Sequence, residues 1–296
     1  MKNFSTYSLL EITNEIENTL KIENSINFNT LNPDSNPSAK GYKIWVNLAE
    51  LHFCKMLTPK IVDKKHINIT FQKLNRDVSF HSAPIKNREE KYGTDSIFFT
   101  INKNEEPTFL HAYKKALEAV NITSRKQVLN LGINKGDEFE LIEKIISKND
   151  FNAIKFIGID HSVSALDFAR KKFPKENVLF YKQDINKLSE LKLCKSDLII
   201  SIGTFQSPSI NYKPFLMSLV QEHLTKNGAF ILGFPNGRWI DNELIYGAKA
   251  PNYPYSEMSL LYNDVIFAKK YLQQKKFRVT LTGREYIFLT ATRIVN

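Results

Sequence analysis

No run of apolar residues in this chain approaches the roughly eighteen that a membrane helix needs, so a membrane protein is not expected. Cysteine is scarce. Cys54 and Cys194 are too few for a disulfide framework or a structural zinc site, and they point to a reducing, cytoplasmic setting. The opening residues lack the unbroken apolar core of a secretory signal, because Glu11, Glu15 and Glu17 interrupt it. His66, His81 and His111 suggest no metal site. Positive charge is plentiful, with 41 Lys and Arg against 31 Asp and Glu, which invites a nucleic-acid reading. The excess falls after residue 120, however, on single lysines such as Lys144, Lys148, Lys171 and Lys172 on expected helix faces. That is the pattern of a solvated surface rather than a compact basic footprint.

Along the chain, Leu9, Ile12, Ile16 and Leu20 recur at helical spacing and predict a short amphipathic helix. The stretch NFNTLNPDSNPSAKG, rich in Asn, Pro and Ser, reads as a linker or long loop. YKIWVNLAELHFCKML predicts a second helix, with Trp45 and Phe53 as core rather than substrate-facing residues, and HINITFQKL alternates as a half-buried strand. SFHSAPIKNREEKYGTDS has no period and reads as loop, with Tyr92 again expected in the core. From about residue 105 the character changes. A helix over EPTFLHAYKKALEAV precedes regular alternation: strands RKQVLNLG, KFIGID, NVLFYKQD, SDLIISIG and GAFILGF, with helices between. The end adds the helix NDVIFAKKYLQQKK and two strands, FRVTLTG and EYIFLTATRI, joined by a turn. Repeated strand–helix units require a parallel sheet covered on both faces, and the closing pair must be antiparallel. The expected fold is α/β, Rossmann-like: a seven-stranded, mostly parallel sheet with a C-terminal antiparallel hairpin, plus an N-terminal, mainly helical extension.

The tips of these strands carry the candidate chemistry. VLNLGINKGDE places Gly132 and Gly136 at the first strand-to-helix turn, where backbone can approach a ligand and the helix offers free amides. The second strand ends at Asp160, positioned to accept hydrogen bonds from ribose hydroxyls. The third ends at Asp184, and the fourth at SIGTFQ, with small residues where a ligand would cross the sheet edge.

In these features the chain resembles the class I S-adenosylmethionine-dependent methyltransferases over roughly residues 105–296, with residues 1–104 as a helical or mixed extension. The resemblance implies S-adenosylmethionine as cofactor. Asn130, Gly132, Asn134 and Gly136 would wrap its methionine part, and Asp160 would bind the ribose, with His161 a cofactor-loop contact. Asp184 and Ile185 would bracket the adenine, and Ser201, Gly203 and Thr204 would lie under the sulfonium. Two positions depart from the family pattern: Asn130 stands for an acidic residue, and Asn134 for a third glycine. Asn134 suits a left-handed backbone better than most residues would.

For the acceptor, GTFQSP lacks the Asn/Asp-Pro-Pro-aromatic pattern of adenine and cytosine amino methylation. Neither cysteine is placed to act as the nucleophile of cytosine C5 methylation. The stretch after the fifth strand, residues 233–264, is too long for a simple connector and begins at the ligand-binding edge. It offers Asn236, Arg238, Trp239, Tyr253 and Tyr255 for binding an acceptor, and Asp241 or Glu257 as a base. A small-molecule acceptor is favoured over RNA. The alternatives are an RNA methyltransferase and a non-catalytic, Rossmann-like ligand-binding or regulatory module. The oligomeric state is not readable.

Overall fold

The computed structural model describes residues 2–76, 90–248 and 256–294. Two units divide the chain: Met1–Ser82 with Trp239–Ile245, and Ala83–Arg238 with Tyr246–Asn296.

In the first unit the order is β1 (Lys2–Asn3), α1 (Leu9–Ile22), β2 (Ser25–Leu31), α2 (Tyr42–Leu51), β3 (Cys54–Met56), β4 (Lys60–Ile61) and β5 (His66–Lys73). β5 is central, antiparallel to β2 on one side and to β3 and β4 on the other, while β1 lies parallel to β2. Helix α1 starts where Ser8 and Glu11 form a reciprocal capping box, and it buries Ile12, Ile16 and Leu20. These meet Phe28, Trp45 and Phe71 in one core, so Trp45 is a core residue as expected.

This unit is mixed rather than mainly helical, and the expected linker begins with a strand. Within β2, Ile26, Phe28 and Thr30 are buried in alternation, and the Asn27 amide donates across the pair to Asn68 and Thr70. An asparagine-rich composition conceals this period of two, because the outward residues of the strand are themselves turn-forming types.

The second unit contains α3 (Ile97–Thr100), α4 (Pro107–Ala119), β6 (Gln127–Leu131), α5 (Asp137–Ile145), α6 (Lys148–Ala153), β7 (Lys155–Asp160), α7 (Val163–Lys172) and β8 (Val178–Lys182). It continues with β9 (Ser196–Ile202), α8 (Tyr212–Ser218), β10 (Leu224–Pro235), α9 (Ser259–Gln274), β13 (Phe277–Gly283) and β14 (Tyr286–Arg293). Between β10 and α9 the strands β11 (Gly237–Ile240) and β12 (Glu243–Tyr246) pair as a hairpin. Ile240 and Ile245 of that hairpin pack with Leu74 and Phe53 in the core of the first unit.

The seven-stranded sheet has the order β13-β14-β10-β9-β6-β7-β8. β8, β7, β6, β9 and β10 run parallel, and β14 enters antiparallel between β10 and β13. The expected α/β sheet with its antiparallel C-terminal hairpin is therefore present. Strands β6 and β9 are buried along nearly their whole length, as a sheet covered on both faces demands. Strand order reverses between β6 and β9, which opens a crevice at the carboxyl ends of these two neighbours. Among the described residues no helix is long and apolar enough to cross a membrane.

Candidate functional site

The crevice is built by backbone first. After β6 the chain turns through Gly132 at φ +78°, Asn134 at +47° and Gly136 at +86° before entering α5. Gly132 has no substitute: a Cβ there would lie 2.1 Å from Thr204 Oγ1. Asn134 is left-handed, a conformation asparagine adopts more readily than most residues. Its N–H donates to Asp160 Oδ2 at 2.8 Å, and its side-chain amide donates to the Tyr92 carbonyl at 2.6 Å.

Asp160 is buried at the tip of β7 and also accepts the Ser162 N–H at 3.0 Å. A carboxylate has about four lone-pair positions, so two bonds leave it able to accept more. His161 is half exposed, with Nδ1 3.7 Å from Asp160 Oδ1 and its ring edge-on to Tyr92. At the next tip, the Asp184 carboxylate accepts from the Asn186 N–H and amide, capping a short helical turn, while Ile185 is in the core. Across the reversal point, Ser201 and Thr204 both donate to the Leu131 carbonyl at 3.1 Å, lacing the end of β9 to that of β6. Gly203 between them is left-handed, at φ +74°.

Asn130 lies beneath this arrangement at 1% exposure, and neither its Oδ1 nor its Nδ2 has a hydrogen-bond partner among the described residues. A buried carboxamide left this way costs folding free energy, about 1–3 kcal/mol, and calls for a reason.

The acceptor candidates are dispersed. Asn236 is buried at the end of β10, its N–H donating to the Glu285 carbonyl and its Nδ2 to the Arg284 carbonyl. Arg238 donates to Ser256 at 3.2 Å. Trp239 and Asp241 belong to the first unit, where Asp241 Oδ2 accepts the Asn75 N–H at 3.2 Å. The Glu257 carboxylate takes the N–H and hydroxyl of Ser259, bonds that hold its pKa below the usual carboxylate range and weaken it as a base. Tyr253 and Tyr255 lie outside the described residues. Cys54 is buried in the first unit, and burial pushes its thiol up to about 11, far from thiolate at neutral pH.

Sequence reasoning missed three groups. Glu90 caps α7, accepting from the Ser162 and Ser164 hydroxyls and the Val163 N–H; burial opposes its ionisation, but these bonds outweigh it and lower its pKa. Lys103 and Glu138 form a buried ion pair at 2.8 Å. Burial pushes the Glu138 carboxyl up, whereas at Lys103 the cost of burial is outweighed by the Glu138 charge and its pKa rises. The third is Gln206, whose amide is buried without a partner among the described residues. Glu90 lies in a stretch without periodicity, and Lys103 is 35 residues from Glu138, so only three dimensions unite these partners.

Residues 122–275, more than half of the chain, match a family model described as a methyltransferase domain. The chain belongs to this methyltransferase family. The matched residues include β6 to β10 of the Rossmann-like sheet. Solved structures similar to this methyltransferase include TehB from Haemophilus influenzae, at 14% identity and a TM-score of 0.43 over 78% of this chain and 70% of that one. N-methyltransferase NodS from Bradyrhizobium japonicum is 12% identical, with a TM-score of 0.44 over 64% and 99%. Magnesium protoporphyrin IX methyltransferase from Synechocystis, solved with bound S-adenosylmethionine, is 16% identical, with a TM-score of 0.40 over 66% and 86%. No curated protein matches the methyltransferase.

Proposed function

We propose that the protein transfers the methyl group of S-adenosylmethionine to a small molecule, with the cofactor held at the crevice between β6 and β9. The observation that carries this reading is the presence of Asn130, whose buried carboxamide is unspent, and Asp160, whose carboxylate keeps free lone pairs, on the adjacent strands β6 and β7 next to the left-handed Gly132. Such a cradle suits a ligand that brings its own donors and acceptors. Asn130, Gly132, Asn134 and Gly136 would embrace the amino-acid end, and Asp160 would accept the ribose hydroxyls, with His161 at the loop. Asp184 and Ile185 would flank the adenine, while Ser201, Gly203 and Thr204 would form the floor beneath the sulfur. When bound, the cofactor supplies an electrophilic methyl on sulfur. The protein's share is alignment, exclusion of water and a place for the acceptor's proton.

A small acceptor is favoured because several lysines of the second unit spend their charge on acids. Lys103 pairs with Glu138, Lys135 and Lys172 with Asp137, Lys144 with Glu140, and Lys175 with Glu143. We also place the protein in the cytoplasm, on the strength of its two free cysteines.

Calorimetric titration with S-adenosylmethionine and S-adenosylhomocysteine tests the reading. The expected outcome is micromolar binding to the wild type and at least tenfold weaker binding to Asp160→Ala, with its fold verified by circular dichroism. Absence of binding by the folded wild type would overturn it.

A further inference from the structure

Three neighbouring strands of the second unit, β6, β9 and β10, each carry near the carboxyl end, or within four residues beyond it, a side-chain amide with buried, unpartnered atoms among the described residues: Asn130, Gln206 and Asn236. Asn130 is absorbed by the cofactor reading. Gln206 and Asn236 are not. They follow adjacent tips, because Ile202 is in register with Gly233 and the Gly203 N–H donates to the Gly233 carbonyl at 2.8 Å.

The orientation of Asn236 is set by its surroundings. The Arg284 carbonyl, 3.0 Å away, can only accept, so the amide nitrogen must face it and Oδ1 is the atom left without a partner. Gln206 has both Nε2 and Oε1 buried and unspent. The Arg284 charge at this edge is already matched. The Glu285 carboxylate takes the Arg284 guanidinium at 2.8 Å and the Thr108 hydroxyl at 2.6 Å, and the same guanidinium lies over the Tyr246 ring.

We infer that Gln206 and Asn236 select the methyl acceptor, and that the group they take is neutral and carries an N–H or O–H. Asn236 Oδ1 asks for a donor, and Gln206 accepts one hydrogen bond while giving another. A carboxylate has no hydrogen to offer and would set its lone pairs against Asn236 Oδ1, leaving that buried oxygen unpaired, an arrangement that discriminates strongly. A primary carboxamide, with two N–H groups and a carbonyl, satisfies every atom, and a hydroxyl satisfies the Asn236 oxygen and the Gln206 N–H. The inference rests on the cofactor reading above, since it concerns the acceptor side of the same sheet edge.

Gln206→Met, which keeps the straight side chain, and Gln206→Glu, which keeps the shape but loses the N–H donors, test it by two readouts. In the ligand-free protein an unspent amide is a liability, so Gln206→Met should raise Tm by about 2 °C or more, whereas a structural role would lower it. With S-adenosylhomocysteine saturating, ligand-observed NMR should detect benzamide or phenol binding to the wild type in preference to benzoate. Both variants should weaken it at least tenfold while binding S-adenosylhomocysteine within twofold of wild type. A lowered Tm in Gln206→Met, a preference for benzoate, or fragment binding indifferent to both substitutions would overturn the inference while leaving the cofactor site standing. Failure of S-adenosylhomocysteine to bind the wild type would remove both readings.

Discussion

Gly132 is the residue on which the crevice depends most directly. Its backbone lies at φ +78°, and the space a Cβ would need is held by Thr204, itself bonded to Leu131. Gly132→Ala is therefore expected to lower stability by about 1–3 kcal/mol and to abolish S-adenosylhomocysteine binding, read by thermal denaturation and calorimetry. Lys103 and Glu138 make a different point. Both are buried, so removing one charge strands the other: Glu138→Gln should cost about 3–5 kcal/mol in denaturant unfolding. The double change Lys103→Met with Glu138→Leu should recover most of that loss, giving a strong coupling in a double-mutant cycle.

Among the elements, α7 owes its first turn to a residue far away in the chain. The Glu90 carboxylate binds Ser162, Val163 and Ser164, and these bonds hold its pKa down against burial. A carboxyl with a depressed folded-state pKa contributes stability that is complete above its unfolded value and is lost as pH falls through the folded one. Hydrogen exchange at the start of α7 should accordingly quicken below about pH 4 in the wild type, and Glu90→Gln should flatten that dependence.

The elements also differ in how legible they were. The strands of the seven-stranded sheet announce themselves through continuous apolar runs punctuated by helix periods, which is the mark of a sheet buried on both sides. Gly132, Gly136 and Asp160 stood out because turn chemistry and strand ends are local. β2 did not, since its outward residues, Asn27 and Asn29, are turn formers that happen to bond across a strand pair. Nor did Asn236 or Gln206 declare their state, because an unpartnered amide is a property of surroundings, not of spacing. The base candidates Asp241 and Glu257 already have hydrogen-bond donors, which no motif could foretell.

Across the whole molecule, the net charge of +10 is the feature most easily misread. Several basic side chains of the second unit are paired with acids, and exposed pairs of this kind neither stabilise much nor attract polyanions. Fluorescence anisotropy with a single-stranded 20-nucleotide RNA should show weak binding at low salt and no saturable binding at about 150 mM salt. Saturable binding that persists at that ionic strength would favour an RNA acceptor instead.

The hairpin of β11 and β12 has a consequence for how the protein is made. Its Ile240 and Ile245 finish the small core around Leu74, and its Asp241 receives the N–H of Asn75, a residue made 166 positions earlier. A ribosome adding about 5–20 residues per second needs roughly 10–30 s to span that interval. For that time the nascent first unit must wait with Leu74 uncovered, and its completion follows the synthesis of β10. A chain stopped before Trp239 would leave this seam open, a place for chaperones to hold and proteases to cut.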